Sequence, residues 1–271
     1  MMQAVQLVKD FVEEQLSGNW GNLKNFDFKT LRNSEKYGCP NRYFDCDDTN
    51  IMRAIYVVLW GDIMPYMNMN NFGYQRQYRG DTMNTFHTMF GRAMQDLPGY
   101  YAGLEKYNPT PEFRVRVLHF SNLCSNIGNY VVLPNYYANK TTLNCHRGTN
   151  EWHDFFDRFL MELHKALSNA EDADKTLLEL LEVNKFCLDK FRGDEGWRKM
   201  IDCLWLHDYC DQNGLSRQIF AMNYHWMNEK DPEQYFRDAE LYLEKTEQII
   251  CNRAEKMIDS LQQKISAASL Q

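Results

Sequence analysis

The chain has 271 residues, 44% of them hydrophobic and 25% charged, with a formal net charge of −7. That length buries a sizeable core. The balance of apolar and charged residues excludes a disordered or collagen-like polymer, and no uninterrupted apolar run approaches the roughly 18 residues that a bilayer span needs. The eight cysteines are scattered without a tight framework, so reduced thiols and a cytoplasmic setting are the expectation.

Residues 2–16 read as an amphipathic helix whose internal charges set it apart from a signal peptide. A loop and a short strand at "FDFKTL" are expected next, and Asp48 or Thr49 is placed to cap the apolar helix "NIMRAIYVVLW". The segment "GDIMPYMNMNNFGYQRQYRG" has no period and reads as an extended loop. Asp81 and Thr82 are positioned to cap a helix running to about Gln95.

Thr110-Pro111-Glu112 has proline at the first helical position, followed by Phe113, Val117, Phe120 and Cys124 on one helical face. "NYVVLP" has strand character, and Thr141-Thr142-Leu143 is expected to pair with it through the polar turn between them. Thr149 or Asn150 is placed to cap a helix with an apolar face at Trp152, Phe155, Phe156, Phe159, Leu160 and Leu163. Helices follow at about 172–190, 196–211 and 215–228. Asp231-Pro232-Glu233 then opens a long helix to about Lys264, with apolar positions every three to four residues that pack along the body or against a second copy of the chain. The expected fold is mainly α (α+β): a mostly helical domain over 1–230 with a small β element, and a long C-terminal helix within 231–271.

Charge is uneven. Residues 150–271 carry 15 Lys and Arg against 24 Asp and Glu, while residues 113–150 contain no acid and carry Arg114, Arg116, Lys140, Arg147, His119 and His146. A second acid-free run, 63–80, carries Arg76 and Arg79. In "FGYQRQYRG" these arginines alternate with Phe72, Tyr74 and Tyr78, the interleaving of charge and stacking surface that single-stranded nucleic acid uses. Because the chain as a whole is acidic, a surface loop with those aromatics tucked inward is the better reading.

"CHRGTN" at 145–150 is the main candidate site. His146 and Arg147 on a turn, with Gly148 beside the helix start at Thr149 and Asn150 and Lys140 just upstream, suit a phosphate or carboxylate. The structural alternative pairs Arg147 with Asp157. Cys203, His207 and Cys210 fall at i, i+4 and i+7 of an expected helix, a spacing open to a metal but equally to core packing. "FDCDDT" at 44–49 fits the DxDxT pattern of haloacid-dehalogenase phosphatases, yet follows a turn-rich segment where that chemistry needs a buried strand, so capping is the better reading. No P-loop, Rossmann fingerprint or Ser-His-Asp order occurs, and no cofactor is expected.

The succession "NFDF", "IMRAIYVVLW", "GDT", "NIGNYVVLPN", "LNCHRGTNEWHDFFDRFLMELHKAL" and "KFCLDKFRGDEGWRKMIDCLWLHDYC", over about residues 25–212, resembles an uncharacterised bacterial domain-of-unknown-function family. The resemblance implies a bacterial, cytoplasmic protein and no particular activity. "IGN" followed by an apolar strand is also similar to a segment of His-metal-finger restriction nucleases, but the Asp-His pair that precedes it there is missing here. The leading expectation is a protein that binds an anionic ligand, a nucleotide or nucleic-acid phosphate, through Lys140, His146, Arg147, Gly148, Thr149 and Asn150. A metal-dependent nuclease or phosphoesterase using Asp81, His87, His119 or His146 is the alternative. A protein that dimerises through its last helix is a third.

Overall fold

The computed structural model describes residues 1–31, 33–38, 49–73, 76–83, 108–148, 155–220 and 231–268. Helix α1 (Met2–Leu16) leads into two 3-10 turns, Trp20–Asn25 and Phe28–Leu31, which stand where a strand was expected. Local bonds around Asp27, between Phe26 and Phe28, account for the difference. Both rings pack on Phe11 of α1, at centroid distances of 5.1 and 6.1 Å, and Asp27 between them turns the chain, its carboxylate accepting from Lys29 N at 2.9 Å and its carbonyl from Thr30 N at 3.1 Å. Thr49 caps α2 (Asn50–Trp60), its hydroxyl accepting from the Met52 amide at 3.3 Å. Nearly every residue of α2 is buried.

Strand β1 (Tyr78–Thr82) pairs antiparallel with β2 (Tyr130–Pro134), Asp81 facing Val131 and Thr82 facing Tyr130. Two expectations change here. Asp81 and Thr82 lie in a strand instead of capping a helix, and the partner of "NYVVLP" is this distant segment instead of Thr141–Leu143. The expected helix to Gln95 lies outside the described residues. Between the strands, α3 (Pro111–Leu123) starts as the sequence implies, with the Thr110 hydroxyl accepting from Phe113 N at 3.2 Å and proline at the helix start.

After β2 come α4 (Leu143–Gly148), α5 (Phe156–Leu167), α6 (Lys175–Val183), α7 (Lys185–Leu188) and α8 (Gly193–Leu204). Helix α8 stops because Trp205 takes a left-handed conformation, φ 53°. Cys203, His207 and Cys210 therefore do not share a helix. His207 lies in a separate 3-10 turn and bonds Asp202 at 2.8 Å. Leu215–Phe220 is not helical, and the remainder of that expected helix lies outside the described residues.

Helix α9 (Pro232–Ala268) is about 55 Å long at 1.5 Å per residue. Its expected apolar positions Tyr235, Ala239, Tyr242, Ile249, Ile250, Met257, Leu261 and Ile265 are all buried within the chain itself. The first half packs on α3 around Phe120, Tyr242 and Phe155, and the second half runs over α1, α2 and the Ile127–Asn129 turn. That turn touches the helix backbone to backbone. A Cβ on Gly128 would overlap the Ile250 oxygen and come within 2.9 Å of Ala254 N, so glycine is needed here for close approach, not for an unusual φ.

One buried charge fastens this contact. Arg253 donates from Nε to Leu204 O at 2.8 Å, and from Nη1 to Gly128 O at 2.8 Å and Tyr130 O at 2.5 Å. Burial pushes its pKa down to about 10, and nearby Tyr209 and Tyr56 act weakly the other way, so the guanidinium stays charged at neutral pH. No described helix is long and apolar enough to cross a membrane.

Candidate ligand-binding surface

Of the six residues expected to form an anion site, Arg147 departs furthest from that role. It sits on the six-residue α4 with only 1% of its surface exposed, its Nε and Nη2 donating to Asp81 Oδ2 at 2.9 and 2.7 Å. Asn144, one turn earlier, donates from its amide to both Asp81 oxygens at 3.0 and 2.7 Å in the orientation its surroundings require. The three side chains bolt α4 to β1. Arg147 thus has the structural role the sequence left open, with Asp81 as partner in place of Asp157.

Asp157 does something else. Its Oδ2 accepts from the amides of Ile219 and Phe220 at 2.7 and 3.0 Å, and its Oδ1 has no hydrogen-bond partner among the described residues. Burial raises its pKa despite those amides, which favour the charged form. Because the folded pKa lies above the unfolded one, ionisation costs stability, and that cost grows as pH rises from about 4 through the folded pKa. Asp157→Asn is therefore expected to unfold like the parent near pH 4 and to gain on it as pH is raised to 8, with all other carboxylates common to both. Urea midpoints across that range read the gap. A parent that stays ahead of the variant at pH 8 would contradict this assignment.

The other expected residues are spread out. His146 Nε2 lies 2.9 Å from Asp174 Oδ1, which also caps α6 by accepting from Leu177 N. Gly148 is exposed at the end of α4, and Thr149 and Asn150 lie outside the described residues. His119 is exposed beside Glu247, and His87 lies outside the described residues. Among the described residues no three His, Cys, Asp or Glu side chains group as metal ligands. An apolar void of about 20 Å³, lined by Val132, Leu143, Phe159, Leu163, Met200 and Leu204 among others, is too small for a ligand.

Lys140 remains, exposed on a tight turn. Ala138 and Thr141 exchange both backbone hydrogen bonds at 2.9 Å, closing a two-residue turn over Asn139 and Lys140. Both turn residues have positive φ, 48° and 66°. Such a turn favours glycine at its second position, yet here it carries an exposed lysine. Just upstream, Tyr136 and Tyr137 are exposed at 46% and 54%. The Tyr136 backbone is gripped from both sides by the buried Asn184, whose side chain accepts from Tyr136 N and donates to Tyr136 O, each at 3.2 Å. The Tyr136 ring lies 5.1 Å from that of Phe186, and Phe186 in turn 6.1 Å from Tyr78.

The acid-free loop before β1 reaches the same place. Asn135 donates to Gln77 O at 2.8 Å and to Arg76 O at 3.1 Å, which sets the exposed Arg76 beside Tyr136. The Tyr78 hydroxyl donates to Pro65 O. Its neighbour Tyr66 is 78% exposed at φ 64°, a left-handed conformation that costs a bulky side chain about 1–2 kcal/mol. Tyr66 and Tyr136 both lie near enough to Tyr78 to add to the upward push that burial gives its phenol. These contacts gather the segments that carry the exposed Tyr66, Arg76, Tyr136, Tyr137 and Lys140 at one end of the ribbon. Glu179 borders it, where the Asn139 amide donates to its carboxylate.

Sequence reasoning found Arg76 and Lys140 through the acid-free runs. Phe72 and Tyr78 are buried, as the inward reading of that loop has them, and Tyr74 lies outside the described residues. The missed signal was two bulky or charged residues, Tyr66 and Lys140, in Asn-rich turns. Against known protein families, curated proteins and solved structures, the chain has no match.

Proposed function

We propose that this chain is a binding protein for phosphate-bearing anions, with Lys140 and Arg76 as the charges that meet the ligand. The carrying observation is Lys140 itself, held at φ 66° and exposed on a tight turn where glycine would fit without strain. A strained residue kept at an exposed tip is a pointer to function. The acid-free segments around it, 63–80 and 113–150, concentrate positive charge on a chain that is acidic elsewhere.

Lys140→Gly separates the two roles. It removes the charge and the left-handed strain together, so stability should stay within about 1 kcal/mol of the parent. Combined with Arg76→Gln it should weaken binding of tripolyphosphate or ATP about tenfold at low salt, each exposed charge contributing up to roughly 1 kcal/mol. Isothermal titration reads the affinity and a urea melt the fold. No binding by the parent at low salt, or equal binding by the folded double variant, would reject the assignment.

A further inference from the structure

We infer that this end of the ribbon takes single-stranded nucleic acid, with Tyr136, Tyr137 and Tyr66 as stacking platforms for bases and Arg76 and Lys140 as partners for the phosphates between them. This rests on the anion-binding reading and adds to it the class of ligand. A simple anion needs the two cations and has no use for three exposed phenol rings. Base stacking accounts for the rings, because every base offers a π-face and the contact does not depend on sequence.

The arrangement is also preorganised. Asn184, fully buried, fixes the Tyr136 backbone at both its donor and its acceptor, and Phe186 supports the ring from behind. Tyr66 is locked by its own turn, its carbonyl accepting from the Asn68 and Asn71 side chains at 3.1 and 2.6 Å. Asn71 also donates to Gln77 at 3.3 Å, which ties the Tyr66 turn to the arginine loop. Backbone held in place before binding, at Tyr66 and Tyr136, lowers the entropy lost on contact. A duplex hides its base faces, so this surface should discriminate against it, and the tyrosines contain no feature that separates RNA from DNA.

The test is fluorescence anisotropy with labelled oligo(dT) and oligo(U), a duplex of the same length, and tripolyphosphate as competitor. The parent should bind both single strands and prefer them to the duplex. Tyr136→Ala/Tyr137→Ala should weaken single-strand binding about tenfold or more while tripolyphosphate binding is unchanged. Tyr136→Phe/Tyr137→Phe, which keeps the rings, should bind like the parent. Circular dichroism confirms that the variants fold, and should the alanine pair unfold, Tyr66→Gly, which relieves a positive φ, takes its place. Equal affinity for duplex, or an alanine variant that binds single strands like the parent, overturns the stacking inference and leaves the anion reading standing if Lys140→Gly still weakens tripolyphosphate binding. Loss of tripolyphosphate binding by the parent would instead remove the underlying reading.

Discussion

Arg253→Met should cost the protein at least about 3 kcal/mol, because the three carbonyls it serves would be left buried without donors at about 1–3 kcal/mol each. Methionine nearly matches the side chain in length, so packing loss is a minor part of that figure. Arg253→Lys should recover little, since a compact ammonium does not span carbonyls on two different segments as a guanidinium fork does. The wild-type contact is imperfect even so. Its Nη2 has no hydrogen-bond partner among the described residues, and burial already works against the charge. Urea unfolding reads the effect, as a lower midpoint at unchanged slope. A loss under about 1 kcal/mol would show that water satisfies those carbonyls and that the arginine is dispensable.

The second large effect belongs to Asp81 and Arg147. Removing either partner of a buried ion pair strands the other, at about 3–5 kcal/mol, so Arg147→Met and Asp81→Leu should each be severely destabilising. Together they should cost much less than the sum of the two, because an apolar pair of similar volume avoids desolvating two charges. Asn144 would lose its acceptor in the double variant, which sets a floor under the recovery. A double-mutant cycle measures the coupling. Additive losses would mean that each side chain acts through separate contacts. This cycle also bears on the site: a buried, coupled Arg147 stabilises the fold, and its loss should reduce ligand binding only through unfolding.

Much of the helical architecture was legible in the chain. Thr110-Pro111 and Asp231-Pro232 carry local start signals, and the three-to-four spacing along α9 records the face it buries. What failed depends on partners far away in sequence. Whether "NYVVLP" pairs with Tyr78–Thr82 or with Thr141–Leu143 is a question of register between segments, and both are short and plausible. The sequence pairing of Arg147 with Asp157 chose the nearer carboxylate, whereas β1 delivers Asp81 from 66 residues upstream. The helix expected over 196–211 broke at Trp205, whose left-handed cap has no glycine or asparagine to announce it. At the candidate surface charge was visible and exposure was not: tyrosines at 78 and 136 look alike in a sequence, and only packing buries the first and leaves the second half in solvent.

The joint between Gly128 and α9 has a bearing on the order in which the molecule is made. Arg253 follows Gly128 by 125 residues and Tyr130 by 123. On the ribosome the turn and strand that lead to Tyr136, Tyr137 and Lys140 are made more than a hundred residues before the guanidinium that satisfies their backbone. Synthesis at about 5–20 residues per second keeps those carbonyls waiting for roughly 6–25 seconds. Over that interval the Gly128 and Tyr130 carbonyls have to be met by water, and the joint closes only when α9 arrives.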